Sequence, residues 1–206
     1  MPKTYTFQTY QYSELSDKAK KMAITKLGEL SDNTDNSDEL IDLFSNRLAE
    51  RHYPHDNIRF SLSCSQGDGV AFYGDIDELK ALAKAVLDDT VYEQLRSVIE
   101  SGEISIRIAP NRHANHYSHH NCMDVNSQYT GPDSLAGAIN ILETRILHDL
   151  QNLSKELEAA GYALLDSRRT EEYLIEEAEA LELEFTKEGK IAYASRMGAT
   201  EVVDPL

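Results

Sequence analysis

The chain has 206 residues, 41% hydrophobic and 27% charged, with 20 Lys and Arg against 36 Asp and Glu, a net charge of −16. That balance argues against unassisted binding to a phosphate backbone, which needs a basic footprint. Two cysteines, Cys64 and Cys122, form no disulfide framework and read as thiols of a reducing cytoplasm. No apolar run approaches the roughly 18 residues of a membrane span, and Met1-Pro2-Lys3-Thr4-Tyr5 carries no secretory signal. The length suits one domain, read here as 1–194 followed by a loosely ordered tail over 195–206.

In chain order, Thr4 to Tyr12 alternates aromatic and polar residues and predicts a strand. Ser13 or Ser16 caps a helix near 17–30, with Ala19, Met22, Ala23, Ile24 and Leu27 as its apolar stripe. Ser31 to Asn36 is a polar loop; it lacks the glycine and terminal glutamate of a calcium-binding EF-hand. A second helix runs from Ser37 to about Arg51, before Pro54. Ile58–Cys64 and Val70–Tyr73 read as a hairpin, with Phe60, Leu62 and Cys64 on the buried parity. Two helices follow, interrupted at Asp88-Asp89-Thr90. Ile104, Ile106 and Ile108 then mark a strand ending at Pro110. His113–Tyr117 and Cys122–Tyr129 predict a further hairpin around Ser118-His119-His120-Asn121. A long helix from Leu135 to about Ala160 follows, with Gly161 at its kink or end. Thr170–Leu181 predicts an acidic helix, and Leu183–Phe185 with Ile191–Tyr193 a terminal hairpin. The expected fold is α+β: an antiparallel sheet with helices on one face and a long acidic helical region toward the C-terminus.

Two stretches carry candidate chemistry. The tip Ser65-Gln66-Gly67-Asp68-Gly69 brings two glycines, a carboxylate and an amide. Glycine permits positive φ and close approach of a ligand, while Asp-Gly is also a strong hairpin-turn signal, so a turn and a ligand or partner site both fit. It is not a Walker A loop. The second stretch, His113 to Cys122, holds four of the seven histidines. In the predicted hairpin His113, Asn115, Tyr117, Cys122 and Asp124 share one polar face, able to bind a ligand or do acid–base work, or simply to face water. His113, His116, His119 and Cys122 are weak metal candidates whose spacing matches no zinc signature. No nucleotide, kinase, hydrolase or His-Glu-x-x-His motif occurs, and no cofactor is expected.

Charge is uneven. Between Glu143 and Glu188 there are 13 acidic and 5 basic residues, a balance of 5 − 13 = −8. Glu171, Glu172, Glu176 and Glu177 are therefore the candidate acidic interaction surface, suited to a basic partner.

Four stretches together resemble a mostly uncharacterised family of bacteriophage-encoded proteins. They are Tyr12 to Lys20; Ser65-Gln66-Gly67-Asp68-Gly69 through Gly74, with Val70 where the family usually has Ala; His116-Tyr117-Ser118-His119; and Tyr173 to Glu177 with Phe185 to Gly189. The resemblance implies phage origin and a place in the host cytoplasm; members are sometimes labelled antitoxin-like. It implies no reaction. The expected function is that of an acidic phage protein that binds and inhibits or modulates a host or defence-system protein, such as a basic nucleic-acid-binding one, in a counter-defence role with nucleic-acid mimicry as one means. The alternatives are an antitoxin for a cognate toxin, and a small-ligand or metal-dependent enzyme built from the tip and the His-rich hairpin. Neither direct nucleic-acid binding nor a membrane is expected.

Overall fold

A computed structural model describes residues 8–32 and 36–192. Residues 4–7 of the strand predicted over Thr4–Tyr12, loop residues 33–35, Tyr193 and the tail 195–206 lie outside the described residues; in the rest of that segment Tyr10 makes an isolated bridge and Tyr12–Glu14 is a 3₁₀ turn instead of strand. The protein is α+β, with antiparallel strands and predominantly helical elements. The sequence reading takes 1–194 as one domain; by its contacts the chain divides into two compact units, residues 1–35 with 165–206, and residues 36–164.

The smaller unit is built on two helices. In α1 (Asp17–Asp32), Ser16 Oγ accepts the Ala19 N–H at 3.3 Å, capping the first turn. Ala19, Ala23 and Leu27 recur every fourth residue and are buried against Leu174 and Ala178 of α6 (Glu171–Ala180). Met22 is 44% exposed, so the buried stripe is narrower than the sequence suggests. Thr170 caps α6 by accepting the Tyr173 N–H. Tyr10 and Phe185 bond reciprocally through their backbones at 2.9 and 2.8 Å, and Tyr12 meets the buried Phe185 ring edge-on.

The larger unit opens with α2 (Ser37–Glu50), whose Leu40, Phe44 and Leu48 are buried. Strands β1 (Ile58–Ser61) and β2 (Gly69–Phe72) pair antiparallel from Ile58↔Phe72 to Ser61↔Gly69. The two-residue β3 (Gly74–Asp75), β4 (Ile104–Pro110) and β5 (Met123–Tyr129) form a separate antiparallel sheet in that order. Between them lie α3 (Leu79–Val86) and α4 (Asp89–Ser101), the latter capped by Asp88 and closed by Gly102 at φ +75°. Ile104, Ile106 and Ile108 are buried while Ser105 and Arg107 face water, the alternation of a sheet covered on one side.

The second hairpin is longer than the sequence predicts. β4 itself pairs with β5, from Ile104↔Tyr129 to Pro110↔Met123, and His113–Tyr117 is not a strand. Three isoleucines on one parity give β4 an apolar face to pair and bury; His, Asn and Tyr on 113–117 offer none. Residues 111–122 instead form a connection with two 3₁₀ turns, Arg112–Asn115 and His120–Cys122. Asn111 ties it shut, accepting the His113 N–H at 2.9 Å and donating through Nδ2 to Asn121 O at 2.8 Å and Asp124 Oδ1 at 3.2 Å.

The last long helix, α5 (Ala136–Ser167), passes straight through Gly161 instead of ending there. A Cβ at Gly161 would lie 2.6 Å from Leu62 Cδ1 and 2.9 Å from Phe44 Cζ, so this glycine serves close packing. Helix α5 begins in the larger unit, and its residues 165–167 belong to the smaller.

Candidate functional site

The tip is a seven-residue connection, 62–68, between β1 and β2, rather than a two-residue turn on Asp-Gly. Its centre is Asp68, 7% exposed. The carboxylate accepts bonds from Ser61 Oγ at 2.7 Å, Ser63 N at 2.6 Å, Ser63 Oγ at 3.2 Å, Ser65 N and Ser65 Oγ at 2.9 Å each, and Tyr162 OH at 2.7 Å. Burial alone would raise its pKa; the donors from Ser61, Ser65 and Tyr162 outweigh burial and hold the carboxyl well below the usual carboxylate range. Tyr162 lies on α5. It donates to Asp68 and accepts the Cys64 N–H at 3.1 Å. The bond to Asp68, with burial second, pushes its phenol up to about 12. Cys64 sits at φ +58° and is exposed, off the buried parity that the sequence gives it.

The two candidate stretches meet. Gly67 has φ +96°, and a Cβ there would lie 2.1 Å from Tyr117 Cδ1. Gly69 has φ +146°, and its Cβ would lie 2.8 Å from His119 Cα. Ser118 N–H donates to Gly67 O at 3.3 Å. Both glycines thus do two things: they take a backbone conformation that L side chains avoid, and they let the Tyr117–His119 segment seat on the tip. Gln66 and Ser65 are exposed at the edge.

Other parts of the predicted constellation are not brought together. His113, Asn115 and Tyr117 do not share a strand face with Cys122 and Asp124, because 113–117 is not paired to 122–125. His113 Nε2 lies 3.4 Å from Arg112 Nε, and Asp124 is engaged by Asn111. His119 Nδ1 accepts the Asn121 N–H at 3.1 Å and stands 3.6 Å from Cys122 Sγ. Cys122 is fully buried, and burial pushes its thiol up. Among the described residues no three His, Cys, Asp or Glu side chains group to hold a metal ion, so His113, His116, His119 and Cys122 do not form a site. The side chains absent from the sequence-based site are Ser61, Ser63 and Tyr162. The alternation Ser61, Ser63, Ser65 is a faint signal for the first two; nothing local points to Tyr162.

In the smaller unit, Glu171, Glu172 and Glu176 of α6 are exposed and Glu177 is half-buried. None of the four makes an ion pair among the described residues.

Residues 10–177 match a protein family described as a domain of unknown function, DUF8835. The chain belongs to this family. No curated protein and no solved structure matches the chain. The DUF8835 region takes in the tip, the 111–122 connection and α6 as far as Glu177. Among the described residues, a groove of about 640 Å³ lies in the smaller unit and one of about 460 Å³ in the larger, and neither is lined by the tip or by 111–122. Among the described residues no helix is long and apolar enough to cross a membrane.

Proposed function

We propose that the protein is a non-catalytic interaction protein whose acidic α6 face docks on a basic surface of a partner protein. The observation that carries this reading is the set Glu171, Glu172, Glu176 and Glu177, without a counter-ion among the described residues, on a helix whose other side is fixed by buried Leu174 and Ala178. Glu172 and Glu176 are one turn apart, where like charges cost about 0.2–0.5 kcal/mol. A basic partner relieves that repulsion and is steered toward it by the long-range field of a chain at −16. The tip supports an enzyme less well: Asp68 is closed in by internal donors and Cys122 is buried.

The phage resemblance of the sequence supports a host or defence-system protein as the partner, met in the host cytoplasm, with inhibition or modulation as the outcome. A toxin with a basic face would meet the same surface.

The test is affinity capture from host lysate, identification of the retained protein, and titration of that purified protein. Retention is expected at about 50 mM salt and release near 500 mM, where the screening length drops below about 5 Å. Reversal of all four glutamates to Lys is expected to abolish binding. Capture that survives high salt and the four reversals overturns the reading.

A further inference from the structure

Glutamates also line a groove at the C-terminal end of α6, and there they share the walls with polar atoms that lack partners. The groove, about 640 Å³, has the turn 11–13 as one wall and residues 179–184 as the other. Both walls belong to the smaller unit. Glu179, Glu182 and Glu184 line it, and no Lys or Arg does. Among the described residues none of the three makes an ion pair. The 460 Å³ groove of the larger unit is different: its Asp75 is paired with Arg107 at 3.4 Å and its Glu78 with His52.

Tyr12 is the first group without a partner. It lines the groove and is only 9% exposed, yet its hydroxyl makes no hydrogen bond among the described residues. Its oxygen is not sealed inside the protein as that of Tyr73 is. A phenol so deeply placed ordinarily has a partner. Ala180 O is the second. Helix α6 closes through Leu181 N–H on Glu177 O at 2.9 Å, Glu182 N–H on Glu179 O at 3.0 Å and Leu183 N–H on Ala178 O at 2.9 Å. Ala180 O, also on the groove wall, receives no donor among the described residues and stands at the negative end of the helix dipole. Three carboxylates, a carbonyl and a phenol oxygen on one groove call for a ligand that is cationic and rich in donors. Lys20 Nζ lies 5.7 Å from the Tyr12 ring centre but is not part of the lining.

We infer that this groove takes an arginine side chain of the partner protein, beside the α6 face. The inference rests on the α6 reading and adds the residue that the partner inserts. Guanidinium carries five N–H donors in a rigid planar fork and is more weakly hydrated than an ammonium, so it can serve acceptors on two walls at once. Lysine brings three donors on a compact, strongly hydrated head.

The test titrates N-acetyl-argininamide into the full chain and follows backbone amide signals by NMR. Tyr12, Glu179, Glu182 and Glu184 are expected to shift saturably, while Asp77 and Glu78 of the other groove do not. N-acetyl-citrullinamide, the neutral isostere, is expected to bind at least about tenfold more weakly, and N-acetyl-lysinamide about threefold more weakly. Glu182 sits at φ +51°, where glycine is favoured. Glu182→Gly is therefore expected to keep or raise the urea midpoint while argininamide affinity falls about fivefold. Tyr12→Phe is expected to weaken binding about threefold. Citrulline bound as tightly as arginine, equal shifts in both grooves, or parent affinity in both variants overturns the inference. Lysine bound as tightly as arginine overturns the assignment to arginine. Argininamide binding is read on the purified chain with no partner present. Its failure leaves salt-dependent capture through α6 standing, and failed capture leaves this titration unchanged, so the two proposals fail separately.

Discussion

Asp68 and the α6 glutamates are all carboxylates in a strongly acidic chain, yet the molecule treats them in opposite ways. Asp68 is drawn inside and surrounded by Ser61, Ser63, Ser65 and Tyr162. Glu171, Glu172 and Glu176 are left in water, with no ion pair among the described residues. The first carboxylate holds the protein's own loop in shape; the others face solvent. Net charge does not distinguish the two roles. Donors do: a buried anion persists only where hydrogen bonds replace its water, so the six donor groups around Asp68 identify it as a structural centre.

Substitutions sharpen this contrast, the largest effect coming first. Asp68→Ala strands several inward-facing donors and is expected to cost about 3 kcal/mol or more in urea unfolding. A loss below about 1 kcal/mol would mean the tip is not organised from its carboxylate. Gly67→Ala forces a side chain onto positive φ and into the Tyr117 ring, with an expected cost of about 2–3 kcal/mol. Combining it with Tyr117→Ala should recover the steric part only; strict additivity in that cycle would place the ring elsewhere. Tyr162→Phe removes one charge-assisted bond and is expected to cost about 1.5 kcal/mol at neutral pH.

Tyr162→Phe also changes the alkaline limb. The folded phenol is raised from 10.0 to about 12, so its stabilisation is complete below pH 10 and lost as pH rises through about 12. Stability of the parent protein should therefore fall across that window with a step the Phe variant lacks. Asp68 has the opposite sign: its folded pKa is depressed, so its contribution is present above the unfolded value near 3.9 and disappears as pH falls below it. Acid titration of Asp68→Asn should lack that component. The smallest effect belongs to α6: replacing Glu171, Glu172, Glu176 and Glu177 by Gln is expected to change stability by no more than about 0.5 kcal/mol, because charges on a solvent-facing surface contribute little to folding. A large destabilisation there would show that these residues do structural work.

Much of the fold is legible from spacing. Leu40, Phe44 and Leu48 announce α2; Ile104, Ile106 and Ile108 announce β4; Leu142, Ile146, Leu150, Leu153 and Leu157 carry α5. What spacing does not carry is pairing at a distance. The alternating His113–Tyr117 segment looks like a strand, but it has no apolar face to commit to a sheet, and Ile104–Ile108 takes the partner instead. The glycines of the tip are visible in the sequence, and so is the possibility of close approach; that Tyr117 and His119 are what approach them is not. Tyr162, 94 residues from Asp68, is beyond any local rule. Gly161 shows the same limit in reverse, since a residue that normally weakens a helix is retained for Phe44 and Leu62, which are far away in sequence.

Helix α5 reaches two neighbours from little more than two turns. Ser154 donates to Val70 O of β2, and Tyr162 holds Cys64 and Asp68 of the tip. Between Ser154 and Tyr162 the helix rises about 12 Å, so these anchors stand on one short rigid segment. The strand and the tip therefore have no independent reason to open. In hydrogen exchange they form a single cooperative block: the amides of Val70, Cys64 and Ser65 should become exchangeable together, at the free energy that releases this part of α5.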